Sequence, residues 1–121
     1  MSISGFKDLT VWKNGLKLVE LIYKITKRFP KEERYALVSH MQRAAISIPS
    51  NIAEGFARQH RKEFQRFCQI ALGSCAELET QLIIAYQQNY LGKKDYAAIG
   101  EHLDHESRML MKLIQSLNDT S

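Results

Sequence analysis

Apolar residues recur every three or four positions through four long stretches of this 121-residue chain, and the breaks between them are only a few residues long. That is the period of an amphipathic helix, and no stretch keeps the two-residue alternation of a strand. The spacing predicts helices over about residues 8–28, 33–58, 62–89 and 94–117. Phe29-Pro30 stops the first, because the residue before a proline avoids the helical region, and Asp8 or Thr10 is placed to cap its start. Gly92 is the stop expected for the third. Short connections make neighbouring helices antiparallel, so the expected fold is all-α: a single up-down-up-down four-helix bundle over residues 1–121.

Pro49 falls inside the second helix, where it removes an N–H and crowds the Ala45 carbonyl. A kink or restart is expected there, with Asn51 and Glu54 in capping-box spacing just after it. Core positions on the third helix are Phe64, Cys68, Ala71, Cys75, Leu78, Leu82 and Ala85. The fourth offers Tyr96, Ile99, Leu103, Leu110, Leu113 and Leu117. The small residues around Gly73 predict a close approach by another helix, since glycine there costs roughly 1 kcal/mol against alanine.

The first helix carries more apolar surface than a corner helix of a bundle needs. Leu9, Trp12, Leu16, Val19, Tyr23 and Thr26 make one stripe; Val11, Leu18, Ile22, Ile25 and Phe29 make a second. The surplus marks an interface, and Val11, Leu18, Ile22 and Ile25 are the residues expected to meet a second copy of the chain.

Two polar regions are candidate sites. On the second helix His40, Arg43, Ser47, Asn51, Glu54 and Arg58 share a face built for directional hydrogen bonds. Read functionally, Arg43 and Arg58 contact phosphate while Asn51 and Ser47 donate hydrogen bonds. Read structurally, and preferred, Glu54 pairs with a basic residue of another helix or subunit. Ser47, Ser50 and Asn51 then tie backbone groups loosened around Pro49. The loop Arg58-Gln59-His60-Arg61-Lys62, with Arg66, crowds four cations around a helix start, against that helix's own dipole. A bound polyanion such as RNA would compensate; Glu63 and hydration are the plainer alternative. The formal net charge of +4 permits nucleic-acid contact without demanding it.

Catalytic chemistry is not expected. P-loop, nucleophile-elbow, zinc and dinucleotide-binding spacings are missing. His102 and His105 with Glu101, Asp104 and Glu106 make only half of a di-iron pattern and read as a solvated acidic face. No metal or cofactor is therefore expected. Cys68 and Cys75 are separated by about 10 Å of helix rise, too far for a disulfide, and read as inert core thiols in a reducing cytoplasm. The start lacks a signal-peptide pattern, and no run of 18 apolar residues could span a membrane.

FKDLTVWKNG, the Phe29-Pro30 stop, SIPSNIAEGFAR and EFQRFCQIALGSCAELETQL closely resemble the four-helix-bundle proteins encoded in intervening sequences of bacterial 23S ribosomal RNA genes, also called S23 proteins. The likeness runs from about Phe6 to Leu117. This chain departs at His40 and Gln42, where the family commonly has Gln and Arg. The resemblance implies an antiparallel four-helix bundle that assembles into a five-fold ring, with no catalytic role. It marks Arg43, Ser47, Asn51, Glu54, Gly55, Gly73, Ser74, Glu77 and Glu79 as the positions to carry over. The accessory protein of diversity-generating retroelements is similar in fold and works with a reverse transcriptase and RNA. The expected partners are therefore further copies of the chain, together with RNA or an RNA-handling protein. A purely structural or protein-binding module is the alternative.

Overall fold

The computed structural model describes residues 5–118. Four helices account for most of them: α1 (Thr10–Thr26), α2 (Leu37–Ala57), α3 (Arg61–Gln87) and α4 (Lys93–Ser116). Short 3-10 turns, Phe6–Asp8 and Lys31–Glu33, precede α1 and α2. Each helix packs on the next, and α4 returns to α1, so the cross-section is a square. Cross-helix contacts give the directions. Gln42 reaches Thr26, Ser47 reaches Ser74, Gln65 reaches Ile114, and Asn14 reaches Glu106, an antiparallel register at all four seams. The core runs along the axis, with Leu18, Ile22, Met41, Ile48, Ile52, Cys68, Leu78 and Leu110 fully enclosed.

The helix ends differ from expectation. Neither Asp8 nor Thr10 caps α1; Leu9 stands at the N-cap, and its carbonyl accepts from the N–H groups of Trp12 and Lys13. Phe6, held by the 3-10 turn, packs edge-on against Trp12 with ring centroids 5.3 Å apart. α2 begins four residues later than expected, because residues 31–33 take the 3-10 turn. The Glu33 carboxylate then accepts from the Leu37 N–H. α3 is stopped not by Gly92 but by Asn89, which sits in the left-handed region at φ 64°. The Asn89 N–H bonds back to Tyr86 and the Tyr90 N–H to Ala85, closing a Schellman motif. Gly92 has extended backbone and is instead the N-cap of α4.

α2 runs through Pro49 without a restart. Asn51 forms no capping box: its side-chain amide turns back to donate to the Ser47 carbonyl at 2.8 Å. Pro49 is buried and fills space against Gly15, where an added Cβ would stand 3.4 Å from the proline Cβ. The close approach expected at Gly73 is not there, since no atom lies within 4 Å of where its Cβ would be. It occurs at Gly55, where a Cβ would come 2.6 Å from the Phe67 Cβ. That glycine lets α2 and α3 meet beside Phe64 and Phe67.

The largest correction concerns α1. Val11, Leu18, Ile22 and Ile25, expected at an interface between copies, are 6%, 0%, 0% and 4% exposed and lie inside their own protomer. α1 packs against both α2 and α4, and these residues face the angle between those two neighbours. The other stripe is turned outward, leaving Leu16 and Tyr23 41% and 40% exposed and Trp12 and Val19 half-buried.

Candidate functional site

The middle of the polar face of α2 is bonded within the protomer, while His40 and Arg43 at its start are exposed. The Ser47 hydroxyl is 2.8 Å from that of Ser74 on α3, and Asn51 Nδ2 donates to the Ser47 Oγ at 2.9 Å as well as to its carbonyl. Ser74 itself is buried. The Ser47–Ser74 bond links α2 to α3, and Ser47 and Asn51 each stand two residues, about half a turn, from Pro49. Ser50 is exposed and outside the set. Glu54 finds its cation on its own helix, contrary to expectation: Arg58, four residues on, donates to it at 3.1 Å.

The basic corner at the α2–α3 turn is also balanced largely from within. Arg58 lies 3.6 Å from Glu63, and Arg66 lies 3.9 Å from the same carboxylate oxygen. The guanidinium carbons of Arg58 and Arg66 each stand 5.1 Å from the centre of the Phe67 ring, a cation–π arrangement. Arg61 donates to the Asn118 carbonyl at 3.4 Å, just past the C-terminus of α4, where the helix dipole is negative. The antiparallel neighbour thus supplies part of the compensation for which a polyanion was invoked. Lys62 is exposed. Arg43 is also exposed, but it lies about 22 Å along the α2 axis from Arg58, at 1.5 Å per residue, so it is not part of this corner.

α4 carries an internal acid. Glu106, expected on a solvated face, is 0% exposed. Asn14 Nδ2 donates to its Oε1 at 2.9 Å, while Oε2 has no hydrogen-bond partner and would lie 3.2 Å from a Cβ on Gly15. Burial pushes the carboxyl up from 4.5 to about 7, opposed in part by the Asn14 bond. The signal was present. Tyr96, Ile99, Leu103, Glu106, Leu110, Leu113 and Leu117 alternate in steps of three and four, so Glu106 occupies a core register.

Neither cysteine is poised for nucleophilic chemistry. Burial pushes the thiols of Cys68 and Cys75 up to about 12. Among the described residues, no group of three or more His, Cys, Asp or Glu could hold a metal ion, and no helix is long and apolar enough to cross a membrane.

Large apolar side chains are partly exposed on several faces, Ile70 and Ile84 of α3 and Met111 of α4 among them; on the outer face of α1 and α2 they gather in a groove. Trp12, Leu16, Val19, Ile46, Pro49 and Ala53 line a shallow groove of about 280 Å³ there, with Ile46 40% exposed. Lys13 and Lys17 flank it on α1.

Comparison with known proteins supplies the context. A family model described as "23S rRNA-intervening sequence protein" matches residues 7–112. The crystal structure of a protein with unknown function from the S23 ribosomal protein family of Bacteroides thetaiotaomicron is similar, with a TM-score of 0.78 and 23% identity. The match covers 87% of this chain and 98% of that one. At that identity the likeness speaks to fold alone. No curated protein matches.

Proposed function

The chain belongs to the 23S rRNA-intervening sequence protein family, and from that premise we propose that it is a non-enzymatic scaffold that assembles with copies of itself through the outer α1–α2 face. The observation that carries this reading is the apolar groove, with Leu16 and Ile46 each about two-fifths exposed in its walls. A groove that gathers partly exposed apolar side chains is a place where a protein partner can bury them. Val11, Leu18, Ile22 and Ile25 are covered by the protomer's own helices and lend assembly no support; what supports it is the partly exposed Leu16 of the other stripe, beside Ile46 on α2. A ring of five is the arrangement implied by family resemblance. The two thiols, both pushed up to about 12 by burial, are core residues and fit a binding role. Two buried thiols suit a reducing, cytoplasmic setting.

Sedimentation of the full chain tests this directly. Assembly at micromolar concentration is expected, with Leu16→Glu and Ile46→Glu each returning a folded monomer. A clean 14 kDa monomer from the unaltered protein would refute it.

RNA association is a second reading, favoured by the exposed cations at the α2–α3 turn. The internal pairing of Arg58 and Arg66 shifts that role toward Arg61 and Lys62. Affinity should fall and the salt slope shrink on Arg61→Ala and Lys62→Ala. No detectable binding at low salt leaves the scaffold reading without nucleic acid.

A further inference from the structure

At the end of the bundle opposite the basic corner, α1 and α2 part around the Phe29-Pro30 turn and leave a cleft of about 430 Å³. That volume falls in the range of about 300–1,000 Å³ usual for small-molecule sites. Its polar lining is all cation, hydroxyl and amide. Lys27, Lys31 and Arg34 are exposed around it, and none of the three forms an ion pair among the described residues. No aspartate or glutamate lines it.

Two acids stand between Lys31 and Arg34 in the chain, Glu32 and Glu33; neither lines the cleft, and Glu33 is committed elsewhere. Glu33 accepts from the Tyr90 hydroxyl at 2.8 Å and from the Leu37 N–H at 3.3 Å. The C-terminus of α1 would ordinarily repel an anion, but the Ile25 and Thr26 carbonyls accept from the N–H groups of Arg28 and Phe29. The floor is fixed by buried Thr26, whose hydroxyl donates to the Ile22 carbonyl at 2.7 Å and accepts from Gln42 Nε2 at 3.3 Å. Gln42 retains a second N–H and its carbonyl for a ligand. Tyr23, 40% exposed, supplies an aromatic wall.

We propose that this cleft binds a small phosphorylated ligand bearing a planar ring, the chemistry of a nucleotide, with the phosphate held by Lys31 and Arg34 and the ring lying against Tyr23. Arg34 offers the planar fork that matches phosphate oxygens, and Lys27 and Lys31 add point charge. The Gln42 amide reads a polar edge of the ring. The same group can arrive as a free nucleotide or as the phosphorylated end of an RNA chain. The cleft is lined by one protomer; Tyr23 shares the α1 stripe of Leu16 but lies outside the groove proposed for self-association.

Calorimetric titration of the full chain with each of the four nucleoside 5′-monophosphates, the parent nucleosides and inorganic phosphate tests it. Saturable binding is expected of at least one monophosphate, and binding at least tenfold weaker from its nucleoside and from inorganic phosphate. Lys31→Ala and Arg34→Ala should each weaken it by about tenfold or more, and Tyr23→Ala should narrow the gap to inorganic phosphate. Arg43→Ala and Arg61→Ala, both outside the cleft, should leave it unchanged, which separates this site from RNA contact at the basic corner. Thermal melts of each variant establish that it is folded. A 5′-phosphorylated oligoribonucleotide that displaces the nucleotide, where its 5′-hydroxyl counterpart does not, identifies an RNA end; failure of both identifies the free nucleotide. No binding up to millimolar ligand, equal binding of nucleoside and nucleotide, or unchanged affinity in Arg34→Ala overturns the proposal.

Discussion

Replacing Glu106 with glutamine should abolish a pH dependence of stability that the unaltered protein carries. In the folded chain the Glu106 carboxyl is enclosed, with one donor from Asn14 on one oxygen and none on the other. Burial lifts it from 4.5 to about 7. The unfolded chain releases the proton near 4.5, while the folded chain keeps it until about 7. Between those values the native state binds more protons, so stability falls as pH rises through the window and is level above it. At 1.36 kcal/mol per decade, the total is about 3 kcal/mol, an order-of-magnitude figure large beside a typical domain stability of about 5–15 kcal/mol. From the other helices the carboxyl meets Asn14 and Gly15, both uncharged, and Cys75, which is titratable. Urea unfolding of both proteins between pH 4.5 and 8.5 isolates the effect. The difference in unfolding free energy, unaltered minus Glu106→Gln, should drop by about 3 kcal/mol across that range. Asn14→Ala, which removes the one donor favouring the charged form, should carry the decline to higher pH. A flat difference curve would show that the carboxyl is solvated or paired in solution and would refute the reasoning.

Other perturbations follow from the packing. Gly55→Ala forces a Cβ to within 2.6 Å of the Phe67 Cβ. The α2–α3 seam must open, and a net loss of about 1–3 kcal/mol in urea unfolding is expected despite alanine's better helix propensity. Gly73→Ala meets nothing within 4 Å and should raise stability by about 0.5–1 kcal/mol; a loss would place another subunit against that face of α3. With both thiols pushed up to about 12 by burial, Ellman's reagent at pH 8 should label neither cysteine in the folded protein and both in urea.

The bundle was legible because its signals are local. Heptad steps and short connections specify four antiparallel helices whatever their exact ends, and the enclosed Cys68, Cys75, Leu78 and Leu103 stand where that spacing puts them. Which side of α1 faces inward was not legible, since both stripes are apolar and only packing against α2 and α4 selects between them. Gly55 and Gly73 look alike along the chain, and only the distance to Phe67 distinguishes them. On the candidate polar face Ser47 and Asn51 join Ser74 in internal bonds, while Ser50 and Glu54, expected in the same network, stand outside it. Glu54 was sent to a distant partner although Arg58 stands one helical turn away. Glu106 was missed because a charged residue was taken to outweigh the register it occupies. The cleft beside Phe29 joins residues from 23 to 42 across a turn, a grouping that no helical period encodes.

Three of the four seams join helices that follow one another along the chain, whereas the seam between α1 and α4 joins its opposite ends and is the least extensive. The three successive pairings bring the chain ends together before this contact can close, so it is expected to be absent from the folding transition state. Glu106 and Asn14 sit on that last seam. Alkali therefore acts on the lifetime of the native state and not on its formation: refolding from urea proceeds at the same rate at pH 5 and pH 8, while unfolding quickens by about a hundredfold.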